Sequence, residues 1–134
     1  MKQKVHSVSY LAKAEFEFKN GVYDLVALPS GAEVVKVSLE VVGNSTAGNI
    51  SVGFKDEPQK NYFLTLSGNN FTITEENGER FVVENGTKIV TSDKDYTATS
   101  NKVVVAEVKN ANGNDTKGVL RVLYFLPSVI EVEY

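Results

Sequence analysis

The chain has 134 residues, 42% of them hydrophobic and 23% charged, a balance that fits one folded domain and excludes a disordered chain. It contains no cysteine, which excludes disulfides, thiolate zinc sites, iron–sulfur ligation and a cysteine nucleophile. Fourteen basic against 17 acidic side chains give a formal charge of -3, and with no basic block to follow a phosphate backbone, nucleic acid is not an expected partner.

In chain order, the hydrophobic pattern repeats every two residues nearly throughout. Lys2 and Lys4 open the sequence without the apolar run of a signal peptide, because Lys13, Glu15 and Glu17 interrupt the next stretch, so the chain is expected to be made in the cytoplasm and kept uncleaved. From Val8 to Phe18 the even positions Val8, Tyr10, Ala12, Ala14, Phe16 and Phe18 oppose Ser9, Lys13, Glu15 and Glu17. That pattern predicts a strand or extended arm with one apolar face. Asn20-Gly21 suits the positive φ of a tight hairpin turn, and a returning strand spans Val22 to Leu28 before Pro29-Ser30-Gly31 ends it. Val35, Val37, Leu39 and Val41 then alternate with Val34, Lys36, Ser38 and Glu40, a half-buried strand whose odd residues are expected in the core. A polar loop from Gly43 to Asn49 leads to Ile50, Val52 and Phe54, alternating with Ser51 and Gly53, and Lys55 to Lys60 with Pro58 is loop again.

Short runs occur next at Tyr62 to Leu66, Phe71 to Thr74, Phe81 to Val83 and Lys88 to Thr91. Gly68-Asn69-Asn70, Asn77-Gly78 and Asn85-Gly86 separate them, the punctuation of a meander. Val103 to Val108 and Val119 to Leu126 are the most continuously apolar runs and are predicted as central strands covered on both faces, joined through Asn112-Gly113-Asn114-Asp115. Pro127 breaks the pairing, and Ile130, Val132 and Tyr134 alternate with Val129, Glu131 and Glu133 as an edge strand. No window carries the apolar stripe of a helix, and none approaches the roughly 18 apolar residues of a membrane span, so no membrane association is expected. The predicted fold is all-β: an antiparallel, jelly-roll-like β-sandwich in one domain over residues 1–134. Residues 1–18 form its N-terminal strand or arm, and 128–134 its C-terminal edge strand.

Nothing in the sequence specifies a reaction. His6 is the only histidine, and no serine or carboxylate is tied to it by spacing. Asp93-Lys94-Asp95 and Asn114-Asp115 supply oxygen ligands in loops but lack the spacing of a calcium-binding loop. Glu75, Glu76 and Glu79 flank Asn77-Gly78 at a hairpin tip, where solvation is the ordinary state of a carboxylate. The six tyrosines and seven phenylalanines fall mostly inside strands, where core packing accounts for them. No enzyme activity, cofactor or metal is expected.

One stretch is more particular. Leu28-Pro29-Ser30-Gly31-Ala32-Glu33-Val34 enters a strand, Ile50-Ser51-Val52-Gly53 and the Pro58 loop come after it, and Gly118 to Phe125 makes a closing strand. This pattern resembles the small structural proteins of tailed bacteriophages, over about a third of the chain. The resemblance implies a virion component on the outer capsid surface: a decoration, or cement, protein that binds the major capsid protein and forms a homotrimer. The alternative is a tail or head-fibre module that binds a host receptor or glycan. The expected partner contacts are Val5, Val8, Tyr10, Phe16 and Phe18 on the N-terminal arm and Ile130, Val132 and Tyr134 on the last strand, since exposed strand edges can pair with a second chain.

Overall fold

The structure, a computed structural model, describes residues 2–6, 8–42, 48–67, 72–73, 80–84, 87–111, 117–126 and 129–133. These residues form thirteen strands and no helix. They are β1 (Lys2–His6), β2 (Ser9–Glu17), β3 (Gly21–Leu28), β4 (Glu33–Val42), β5 (Asn49–Phe54), β6 (Leu64–Ser67), β7 (Thr72–Ile73), β8 (Arg80–Glu84), β9 (Thr87–Ser92), β10 (Tyr96–Thr97), β11 (Lys102–Lys109), β12 (Lys117–Phe125) and β13 (Val129–Glu133). One sheet has the order β2-β12-β4-β9-β8, with β10 on β4, and the other has the order β3-β11-β5-β6-β7. β1 and β13 pair only with each other among the described strands. Every pairing is antiparallel.

The pairing is nested: β2 with β12, β3 with β11, β4 with β9, β5 with β6. A long antiparallel double strand folded over itself gives this order, which is the topology of a jelly roll and matches the expected fold. The two sheets bury one core between them. Phe16, Val37, Leu39, Leu120 and Val122 come from the first sheet, and Val26, Ile50, Val52, Leu66, Val104 and Ala106 from the second. β12 lies between β2 and β4, and β11 between β3 and β5, so the two most apolar runs are central strands.

The structure corrects the sequence reading at two places. Asn20-Gly21 does not close a hairpin between β2 and β3, because these strands lie in different sheets, paired to β12 and β11. The chain turns a corner there instead. Phe16 on β2 meets Tyr23 on β3 across the layers, with ring centroids 5.4 Å apart, and Tyr23 Oη donates to the Lys19 carbonyl at 2.7 Å. Burial of apolar faces between layers outweighs the local turn preference. In β4, Val37, Leu39 and Val41 face the core as expected, but at its start the fully buried residue is Val34 while Val35 is half-buried. The cause is a bulge: Leu123 lies opposite Lys36 and Tyr124 opposite Val34, so Val35 is an extra residue that inverts the alternation. A second bulge at Leu25 separates the pairs Val104–Val26 and Val105–Asp24.

Gly53 marks a close approach on the outer side of the second sheet. A Cβ there would stand 2.7 Å from the Lys60 carbonyl carbon and 2.8 Å from the Asn61 nitrogen, so the segment after the Pro58 loop lies directly on the strand. Val105, opposite Gly53 in register and thus on the same face, is fully buried.

Candidate interaction surface

β2 ends the first sheet, and its two faces differ. On the inner face Ala12 packs against the core, and Phe16 lies across the strand over Gly118. An added Cβ at position 118 would run into the Phe16 ring, so glycine is what lets the ring lie flat there. Phe16 is 7% exposed and Phe18 1%, which makes both core residues of their own subunit and removes them from the expected partner contacts. The reason is the corner at Lys19-Asn20, which turns the end of the even-numbered face onto the opposite layer. Val8 and Tyr10 remain accessible, at 36% and 47%. Tyr10 stacks on Tyr124 across the strands with centroids 5.9 Å apart.

The outer face carries a feature that the sequence reading missed. Leu11, 62% exposed, lies opposite Leu123, and Lys13 lies opposite Arg121. Arg121 in turn holds Glu40 on β4 at 2.7 Å. Leu11, Lys36, Ser38, Thr91, Arg121 and Leu123 line a shallow depression of about 300 Å³. The available signal was Leu11 itself, the one large apolar residue among the polar odd positions of β2.

The terminal strands β1 and β13 form a ribbon in which Val5 lies opposite Ile130 and Gln3 opposite Val132. Lys2 lies opposite Glu133 and Lys4 opposite Glu131, directly facing positions of opposite charge. The ribbon and the β2–β12 pair are separate sheets whose registers differ by one residue: Ser9 faces Phe125, whereas His6 faces Val129. Tyr134 lies outside the described residues, as do Pro127, Asn114-Asp115 and the Glu75, Glu76 and Glu79 carboxylates.

Among the described residues no three His, Cys, Asp or Glu side chains are grouped to hold a metal ion. Around the Asp93–Asp95 loop, the Asp95 carbonyl accepts the Tyr62 hydroxyl at 3.1 Å and the Lys94 ammonium stands 3.9 Å from the centre of the Tyr62 ring. Burial, and after it the charge of Asp95, push the Tyr62 phenol above its ordinary value. Two ion pairs fasten the Pro58 loop to the second sheet: Lys55 to Asp24 at 2.7 Å and Asp56 to Lys102 at 2.6 Å. These are structural fastenings; the exposed large apolar side chains among the described residues are Val8, Tyr10 and Leu11 on or beside β2, Val22 on β3 and Val42 on β4.

No protein-family model matches the chain, and no curated protein is similar to it. Among solved structures, a chain of the acidic stable capsid structure of Helicobacter pylori bacteriophage KHP30 is similar to it with 70% identity, a TM-score of 0.82 and coverage of 100% of both chains. A chain of the cyanophage Pam1 capsid asymmetric unit is similar with a TM-score of 0.59 and 20% identity, over 91% of this chain and 87% of that one. The second likeness is one of fold.

Proposed function

The chain belongs to the capsid-associated proteins of bacteriophages and has a structural role in the virion, and on that premise we propose that it is a decoration, or cement, protein of the capsid's outer surface. The observation that carries this reading is the end-to-end likeness, at 70% identity, to a chain of the KHP30 capsid. Its work is binding without catalysis. Each copy holds neighbouring subunits of the major capsid protein across a seam, and the modest contribution of one copy is multiplied by symmetry and repetition.

The contact elements are the β1–β13 ribbon and the arm that continues into β2, with Val5, Val8, Tyr10, Ile130, Val132 and Tyr134 as contact residues. Support for the ribbon comes from its architecture, since a two-stranded ribbon is marginally stable in water by itself and gains most from a third surface laid against it. The free protein is a homotrimer. Residues 1–134 act as one domain, with the ribbon as its appendage.

Co-sedimentation tests the reading. Purified protein mixed with expanded capsids lacking it is expected in the capsid pellet, and light scattering of the free protein is expected to give three times the chain mass. Protein that stays in the supernatant with capsids but pellets with host cells would replace this reading with that of a receptor-binding fibre module. A dimer in light scattering would remove the trimer.

A further inference from the structure

On the premise that the protein binds the capsid shell, β2 offers that contact a strand edge that no other described strand pairs with. Leu126 N–H donates to the Val8 carbonyl at 3.0 Å, and the register of Ser9 to Glu17 against β12 is unbroken. Hydrogen-bonded and non-hydrogen-bonded pairs alternate along an antiparallel ladder. The even residues of β2 therefore exchange their backbone bonds with β12, and Ser9, Leu11, Lys13 and Glu15 turn N–H and C=O to the open edge. The Glu17 carbonyl is occupied by Lys19 N–H at 2.9 Å.

Edges of this kind are usually blunted by a proline, a bulge or short length. β2 is nine residues long, contains no proline and pairs without a register shift, whereas β3, which ends the other sheet, is bent by the bulge at Leu25. Only the charges of Lys13, Glu15 and Glu17 guard it. We propose that β2 receives an extended segment of the major capsid protein by strand addition. The segment that fits carries a basic residue opposite Glu15, an acidic one opposite Lys13 and an apolar one opposite Leu11, whose side chain is 62% exposed. A second copy of this chain, paired about a two-fold axis through Ala14, would match Lys13 with Glu15 but set Leu11 against Glu17. A foreign segment avoids that cost, because its own sequence can set an apolar residue opposite Leu11.

Amide hydrogen exchange of the wild-type protein, free and bound to capsids lacking it, tests the assignment. The Leu11, Lys13 and Glu15 amides are expected to slow by about tenfold or more on binding, while the Ala12 and Ala14 amides, already bonded to β12, change little. Lys13→Pro provides the second arm, since it removes an N–H that β12 does not use and places a ring at the open edge. It is expected to fold and to bind capsids about tenfold more weakly or worse. Wild-type protein that binds with its odd-numbered amides still exchanging freely would overturn strand addition and leave shell binding intact, whereas failure of the wild type to bind would overturn the shell-binding reading itself. A Lys13→Pro protein that binds normally but falls apart as a free oligomer in light scattering would assign the edge to a second copy, which also overturns the proposal. If Lys13→Pro does not fold, the exchange experiment decides alone.

Discussion

Gly53 shows how a single residue fixes a layer boundary. With backbone atoms of Lys60, Asn61 and Tyr62 all within 3.0 Å of a would-be Cβ, no side chain can yield to make room, and the covering segment or the strand must move. Gly53→Ala is expected to cost about 1–3 kcal/mol, the usual penalty for overpacking, measured as a shift in urea midpoint with unchanged slope. A loss of only a few tenths would mean that the segment lifts freely. Asp56 is a different case. Its hydrogen bond from Lys102 holds the carboxyl below the ordinary 3.8, and the same bond raises the ammonium above the ordinary 10.5. The folded state thus binds the carboxyl proton more weakly than the unfolded state, so the pair's contribution is complete above 3.8 and disappears as pH falls through the lower folded value. From the lysine side it is complete below 10.5 and vanishes as pH rises through the raised value. Melting curves of wild type and Asp56→Asn should differ by a small constant between these limits and converge in acid. The difference is small because the Asp56 side chain is 57% exposed. A gap that widened in acid would contradict this assignment.

Among the elements, β2 and β4 show where alternation informs and where it misleads. The even face of β2 was legible because its apolar residues recur without interruption, yet that same regularity gave no sign that Phe16 and Phe18 would be consumed by the core while Val8 and Tyr10 stay accessible. That division depends on where the chain turns into the opposite sheet. In β4 four alternating apolar residues fixed the strand, but Val34 and Val35 are chemically identical, so the sequence offered no means of placing the bulge at Val35. The terminal ribbon brings a prediction of its own. Its extensive contacts are between its own two strands, so deleting residues 1–6 is expected to lower the melting temperature by less than about 4 °C. The same deletion should abolish co-sedimentation with capsids. A large drop in melting temperature would instead make the ribbon part of the folding core.

For the whole molecule, the nested pairing of β2 with β12 and β3 with β11 joins residues from 74 (Leu28 with Lys102) to 116 (Ser9 with Phe125) positions apart in sequence, and one core lies between the sheets. Neither sheet can lose its partner and keep its apolar face covered. Heat is therefore expected to unfold the protein in one cooperative transition, with the calorimetric enthalpy equal to the van't Hoff enthalpy. Two resolved transitions would show that the sheets, or the ribbon and the sandwich, are separate units. The slow closure of such long-range pairs also implies refolding in the millisecond-to-second range typical of all-β domains of this kind.

The sequence by itself determined the all-β class, the central position of the runs that became β11 and β12, and the resemblance to phage structural proteins. Each of these rests on local periodicity or on a local motif, and a pleated strand writes its buried face directly into alternate residues. Only the tertiary structure decided which strands share a sheet, that β1 and β13 pair with each other, that Leu11 stands on the outer face beside Leu123, and that no other described strand pairs with the outer edge of β2. Those outcomes depend on pairing and register between distant segments, which the burial of two complete faces selects and no local pattern encodes.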